Sequence, residues 1–272
     1  MGGEKNGNSD TSGGKHAAVR KRHDLITRMV REQGFMAIGA LADHFDVTPQ
    51  TVRRDINILC DQGRLARHHG GAGPVVSTEN VGYTDRQVLY HEEKKRIAKL
   101  VVEHIPPRSS LFINMGTTNE EVAKELCKRD HLRVITNNLN VAKILSANQN
   151  IDILVAGGIV RHRDCGIVGE SAIDFLRQFK VDYGIIGISG IDLDGTLLDF
   201  DYREVSAARS IINNSRKVFL VTDRSKFGRN AMVRLGSFSE IDCLFTDSPP
   251  PEEIMEHLRR HEVEMYCPDG AE

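Results

Sequence analysis

The sequence predicts an α/β protein in two parts: a small N-terminal winged helix-turn-helix and a larger C-terminal domain with a mostly parallel sheet. Three observations predict it. Three short helical stretches ending in a basic, Gly-rich segment occupy residues 20–72. Strand and helix signals alternate from Leu111 to the end, as in a parallel sheet covered by helices. The charge divides the same way: residues 20–72 hold nine Lys/Arg against six Asp/Glu, and residues 73–272 hold 25 against 30. A basic head on an acidic body points to a head that meets a polyanion.

Taken in order, residues 1–19 open with a Gly/Asn/Ser/Lys-rich stretch without an apolar segment and are expected to be a disordered tail. Leu25, Ile26, Met29 and Val30 then form a helical stripe that Gly34 ends. A second short helix is expected over 39–45, with Leu41, Ala42 and Phe45 inward. The third starts at Thr48-Pro49, an N-cap followed by the residue best suited to the first helical position. It runs to Gln62, with Gly63 as its stop. Arg64 to Ala72 reads as a β-hairpin wing, and 73–91 as a linker.

On the third helix Val52, Ile56 and Leu59 share an apolar face. Gln50, Arg54 and Asn57 fall opposite, with Thr51 and Arg53 on the flanks. Arg pairs with guanine and Gln or Asn with adenine in the major groove, so this outward set has the chemistry of base reading. Thr48 sits at the anion-favouring end of the same helix. Arg67, His68 and His69 in the wing are placed to meet the DNA backbone or a minor groove. A metal site at His68-His69 is not expected, because no Cys or acidic partner lies near. The five cysteines are scattered, without C-x-x-C spacing, which suits reduced thiols in a cytoplasmic protein. No run of about 18 apolar residues exists, so no membrane span is expected.

In the larger part, strands are expected near 111–115, 132–136, 151–155, 181–188 and 217–222, with further candidates at 241–245 and 263–267. Helices are expected near 92–104, 118–128, 139–147, 170–179, 203–213 and 251–261. Ligands bind open α/β sheets at the carboxyl ends of strands. Several loops there are suited to an anion. Gly116-Thr117-Thr118 opens a helix with backbone N–H groups and two hydroxyls. Asn137 and Asn138 close the next strand, Gly157-Gly158 permits close backbone approach, and Lys226 offers a point charge.

These stretches also carry a resemblance. Thr48–Ile56, Arg67–Ala72, Gly116–Thr118, Thr136–Asn138, Ala156–Gly158, Gly187–Asp192 and Ser225–Met232 together resemble the DeoR family of bacterial repressors over residues 20–268. The resemblance implies a sensor domain over 92–272 related to ribose-5-phosphate isomerase, which binds a sugar phosphate as inducer. It places ligand contacts on Asn114, Gly116, Thr117, Thr118, Asn137, Asn138, Gly158, Glu170, Asp192, Tyr202 and Lys226. Asn114 stands where the family usually has Asp. Leu198–Tyr202 and Pro249–Pro251 are most similar to members that govern glycerol-3-phosphate catabolism, which implies glycerol 3-phosphate or a related sugar phosphate as the inducer that releases operator DNA. With a reader and a phosphate pocket in one chain, a homodimer or homotetramer is expected to place paired recognition helices in successive major grooves of a near-palindromic operator. No cofactor and no catalytic residue are implied.

Two enzymatic readings compete. Asp192-Leu193-Asp194-Gly195-Thr196 is a near match to the nucleophile loop of haloacid-dehalogenase phosphatases, in which the first Asp attacks phosphorus. Against it, the preceding segment is broken by Gly and Ser, and no later Asp pair supplies Mg²⁺ ligands. The other is a retained isomerase activity on Asp192, Asp194 and Lys226.

Overall fold

The computed structural model describes residues 11–33, 36–62, 64–68, 70–74 and 82–268, and the chain divides into two compact units, Met1–Ser77 and Thr78–Glu272. Among the described residues no helix is long and apolar enough to cross a membrane.

The first unit holds α1 (Thr11–Gln33), β1 (Met36–Ala37), α2 (Ile38–Phe45), α3 (Pro49–Asp61), β2 (Leu65–His68) and β3 (Gly71–Pro74). The antiparallel strands lie in the order β1-β3-β2. Ile26 and Val30 from α1, Leu41 and Ala42 from α2, and Val52, Ile56 and Leu59 from α3 close a single apolar core with Met36, Leu65 and Ala72. Two details depart from expectation. Helix α1 begins at Thr11, inside the stretch 1–19 read as a tail, and a third strand, β1, pairs with the hairpin. His69 and the side chain of His68 lie outside the described residues.

The second unit opens with α4 (Tyr83–Val88) and α5 (His91–Glu103). There follow β4 (Ser110–Ile113), α6 (Thr117–Leu126), β5 (Leu132–Thr136), α7 (Leu139–Leu145), β6 (Ile151–Val155), the hairpin β7 (Ile159–Arg161) and β8 (Gly166–Val168), and α8 (Glu170–Arg177). The chain continues through β9 (Val181–Gly187), β10 (Gly190–Ile191), β11 (Thr196–Asp199), α9 (Tyr202–Asn213), β12 (Ser215–Val221), β13 (Val233–Ser237), β14 (Cys243–Phe245), α10 (Glu252–Arg260) and β15 (Glu264–Tyr266).

Seven strands form one parallel sheet in the order β15-β14-β12-β9-β4-β5-β6. Its apolar runs are buried on both sides, as parallel strands under helices require. Phe112 of β4 joins the layer of α9 and α10 through Ile211 and Ile254, while Leu111 and Ile113 face the layer of α5 and α6 through Ile97 and Val122. Two small antiparallel pieces depart from the simple alternation: the β7-β8 hairpin and a sheet of order β10-β11-β13. Helix α4 also departs, because it falls within the stretch 73–91 read as a linker and belongs to the second unit.

Candidate functional site

In the first unit the outward residues of α3 stand ready for a ligand. Thr48 Oγ accepts from the Thr51 amide at 3.2 Å and lies 2.9 Å from the Thr51 hydroxyl, which fixes the helix start. Gln50, Arg53 and Arg54 are exposed, and Thr51 and Asn57 are half-buried at the sides. The register of the helix is set from beneath. Buried Asp55 accepts from Arg22 Nε at 2.7 Å and lies 2.9 Å from His23 Nε2. Burial pushes the Asp55 carboxyl up, but the hydrogen bonds from Arg22 and His23 outweigh it and hold it below the usual carboxylate range. Arg67 of β2 donates to Asn57 Oδ1 rather than standing apart on the wing.

In the second unit a cleft of about 540 Å³, counting its open mouth, lies at the carboxyl ends of β4, β9 and β12. Gly116, Thr117 and Thr118 form one wall at the N-terminus of α6. Gly116 has φ 151°, a conformation only glycine takes easily, and this turns the chain so that α6 starts over the strand ends. Asn114 forms the floor. Its Oδ1 accepts from the Gly187 amide at 3.0 Å and from the Asn119 side chain. An Asp would accept the same two bonds. Asn at this position therefore keeps these two bonds and carries one negative charge fewer than Asp would in the cleft.

Lys226 enters from the turn after β12, a single 3-10 turn (Arg224–Lys226) capped by Asp223, whose side chain accepts from the Ser225 amide at 3.0 Å. Burial pushes the Lys226 ammonium down to about 8, and the Asp223 carboxylate beside it limits the drop. Asp223 is itself buried. That burial acts upward, but the Lys226 charge and the Ser225 hydroxyl prevail and hold it below its ordinary value. Opposite lie Asp199 and Glu204. Burial raises both, and at Glu204 burial followed by the charge of Asp199 pushes the carboxyl up to about 7.

Arg86 also lines this cleft. It comes from α4, and its Nη2 lies 3.8 Å from Asp164 while its buried Nε has no hydrogen-bond partner among the described residues. Lys94 of α5 holds α4 in place: its buried ammonium donates to the carbonyls of Arg86 and, at 2.6 Å, Leu89. Tyr83 ties the other end, donating to Glu120 of α6 at 2.8 Å. Behind the acidic wall Arg161 of β7 is clamped to Asp164 at 2.6 Å, to Asp201 at 3.0 Å and to Glu204.

Of the sequence-predicted ligand residues, the structure brings Asn114, Gly116, Thr117, Thr118 and Lys226 together. Asn137, Asn138, Gly158, Glu170, Asp192 and Tyr202 are not among the residues lining the cleft. Asn137 donates to the Ile167 carbonyl at 3.1 Å, and Asn138 caps α7 by accepting from Asn140 at 2.7 Å. Gly158 is needed for packing: a Cβ there would sit 2.9 Å from the Val168 carbonyl oxygen. Glu170 is exposed, 3.9 Å from Arg177, and Tyr202 is 70% exposed.

Asp192 and Asp194 belong to the tight turn between the antiparallel strands β10 and β11. Their carboxylates accept from the amides of Leu193 at 2.7 Å and Thr196 at 2.8 Å. A dehalogenase nucleophile would follow a parallel strand, so this loop has a local turn role instead. Sequence reasoning missed Arg86, Asp199, Glu204 and Asp223. For Arg86 a signal existed in Gly82-Tyr83-Thr84-Asp85, a glycine before an acidic first turn.

Comparison with known proteins gives the same division. Residues 22–78 match the DeoR-like helix-turn-helix domain, and residues 90–248 match the DeoR C terminal sensor domain. The chain is 51% identical over 245 residues to the glycerol-3-phosphate regulon repressor of Escherichia coli, covering 90% of this chain and 97% of the relative. It is 45% identical to the protein of the same name in Haemophilus influenzae, covering 92% and 97%, and 40% identical to the transcriptional repressor CsqR of E. coli, covering 91% and 95%. Among solved structures, ribose 5-phosphate isomerase A of Methanocaldococcus jannaschii overlaps 51% of this chain and 55% of its own at 14% identity, with a TM-score of 0.39. With a helix-turn-helix head and a sensor domain in the order and extent of these relatives, the chain belongs to the DeoR family.

Proposed function

We propose that this protein is a cytoplasmic, DNA-binding transcriptional repressor of glycerol-3-phosphate catabolism genes, a homodimer or homotetramer released from its operator by glycerol 3-phosphate. The names of its relatives support the regulon. The cleft supports the ligand class, and one observation carries that: Arg86 Nε is a buried donor without a hydrogen-bond partner among the described residues, in a cleft that also holds Lys226 and the start of a ten-residue helix. A buried unpaired donor is costly, and a phosphoryl oxygen would satisfy it.

In this reading Thr117, Thr118, Lys226 and Arg86 take the phosphoryl group. Asn114, Asp199 and Asp223 accept from or orient the glycerol hydroxyls. Arg86 lies in the first helix after the segment that joins the two units by sequence. Recruiting it to a phosphoryl group draws on α4, and so ligand binding favours one arrangement of α4 over another. The protein acts by binding, without turnover.

Mobility shifts on operator DNA test the proposal. Glycerol 3-phosphate at or below millimolar concentration should release the complex, and glycerol or inorganic phosphate should be far weaker. Release without any chemical change in the ligand, followed by phosphorus NMR, is the expected result. Hydrolysis or isomerisation of the ligand would replace the proposal with an enzymatic reading, and an unchanged shift would remove the inducer.

A further inference from the structure

The contact between the wing and α3 bears on which base the head selects. Arg67 Nη2 donates to the side chain of Asn57. A guanidinium carries only donors, so the amide atom it meets must be the carbonyl oxygen. The orientation of this amide is therefore set by chemistry. Asn57 lies seven residues beyond Gln50 and three beyond Arg54, on the same outward stripe of α3. One lone pair of an amide on the reading face is thus held by the wing.

This changes what Asn57 recognises. An asparagine reads adenine by using both halves of its amide, accepting from N6 and donating to N7. With one of its two lone pairs engaged by Arg67, the Asn57 oxygen keeps a single site for an incoming donor, and the amide NH₂ together with the remaining N–H groups of Arg67 outnumbers it. Guanine presents two acceptors, N7 and O6, in the major groove and no donor beside them. We propose that Arg67 and Asn57 act as one donor-rich unit that selects guanine over adenine at a single base-pair position in each half-site, with Arg67 as the residue that positions the amide. This rests on the DNA-reading role proposed above. It gives the wing arginine a part in sequence selection, where a wing cation contacting the backbone would only add affinity.

The test is selection of binding sites from a randomised duplex library by the full chain and by Arg67→Ala, Asn57→Ala and the double variant, with thermal unfolding to check that each folds. Arg67 is exposed, so its truncation leaves the core intact. The parent chain should favour guanine over adenine about tenfold or more at one position of each half-site. In Arg67→Ala that preference should fall to about threefold or less, or turn to adenine, because the amide oxygen regains its second lone pair and the guanidinium donors are gone. Asn57→Ala should lose preference at the same position, and the double variant should lose no more than the larger single loss. The proposal is overturned if Arg67→Ala weakens all sequences alike and lowers the salt slope by about one with the base profile unchanged, as a phosphate contact would. It is overturned equally if the two variants alter different positions. If the parent chain selects no sequence at all, the DNA-reading role itself is lost, a result distinct from either of these.

Discussion

The head and the sensor hold their charges in opposite ways. In the head the side chains that face a ligand are exposed, and the buried charge, Asp55 with Arg22 and His23, lies on the inner side of the reading helix. In the sensor the charged side chains lining the cleft are buried or half-buried, and each has a polar partner: Lys226 has Asp223, Glu204 has Arg161, and Asp199 has Ser189 and the Phe200 amide. The head can therefore lose recognition without losing its fold. The sensor cannot lose most of its pocket charges without also stranding a partner.

The most severe way to break this contrast is to remove Arg161, which is expected to give the largest effect. Arg161→Met leaves Asp164, Asp201 and Glu204 around one another in a buried site. Arg163 reaches the same carboxylates but is half-exposed and cannot replace it. Breaking a buried ion pair costs about 3–5 kcal/mol. Urea denaturation should show the sensor transition displaced by that amount, with the head unaffected. An unchanged midpoint would mean that the clamp contributes nothing net, and the contrast would fail at its strongest point.

Lys226→Met separates ligand from fold more gently, since Asp223 keeps the Ser225 hydroxyl and amide. A hydrogen bond to a charged group is worth about 1.5–3 kcal/mol, so calorimetry should show glycerol 3-phosphate binding weakened about tenfold to a hundredfold. Operator affinity without ligand should be unchanged. Loss of both together would place Lys226 in the fold rather than the pocket.

In the head, Arg54→Ala should cost about 1–3 kcal/mol of specific binding if Arg54 reads a base. It should leave stability within about 0.5 kcal/mol, the ordinary range for an exposed site. Fluorescence anisotropy on operator and scrambled duplexes measures the first, and thermal unfolding the second. Equal loss on both duplexes would assign Arg54 to phosphates.

The same contrast explains what was legible in the sequence. The head was readable because its cues are local: the Thr48-Pro49 cap, the Val52-Ile56-Leu59 stripe and the opposed Gln50-Arg54-Asn57 face all lie within one helix. The parallel sheet was readable because buried strands and amphipathic helices alternate. The pocket was half readable. Gly116-Thr117-Thr118 and Lys226 follow strands of the sheet, so their position came with the topology. Asp199 ends a strand of the small antiparallel sheet and Glu204 lies in the helix after it, which the alternation did not foretell, and Arg86 comes from a six-residue helix too short for periodicity. Asn137 and Asn138 satisfy the same positional rule as Gly116; each gives one group to Ile167 or to the cap of α7, and the Asn137 Oδ1 and Asn138 Nδ2 are buried without a hydrogen-bond partner among the described residues. Position at a strand end does not by itself distinguish a ligand contact from a cap.

The smallest expected effect is the most diagnostic of buried charge. Glu204 is pushed up to about 7 and Lys226 down to about 8, in both cases first by burial. As pH rises from 7 to 9 the cleft gains the Glu204 charge and then loses the Lys226 charge, and both changes oppose an anion. A phosphate monoester has its second pKa near 6, so the ligand gains only about a tenth of a charge over this range. Affinity for glycerol 3-phosphate should therefore fall about threefold to tenfold between pH 7 and 9, as for a charge interaction of about 1 kcal/mol, the strength of a close pair in water. Glu204→Gln should flatten the lower part of the curve and leave the upper part. Stability follows the same sign. A carboxyl whose folded value exceeds its unfolded 4.5 contributes fully below that value and loses its contribution as pH rises through about 7, so Glu204→Gln should flatten the decline of the unliganded sensor over that window. The exposed reading face of the head has no such group among Gln50, Arg53, Arg54 and Asn57, and specific DNA binding without ligand should be flat from pH 7 to 9. A slope there equal to that of the sensor would erase the distinction between the two units.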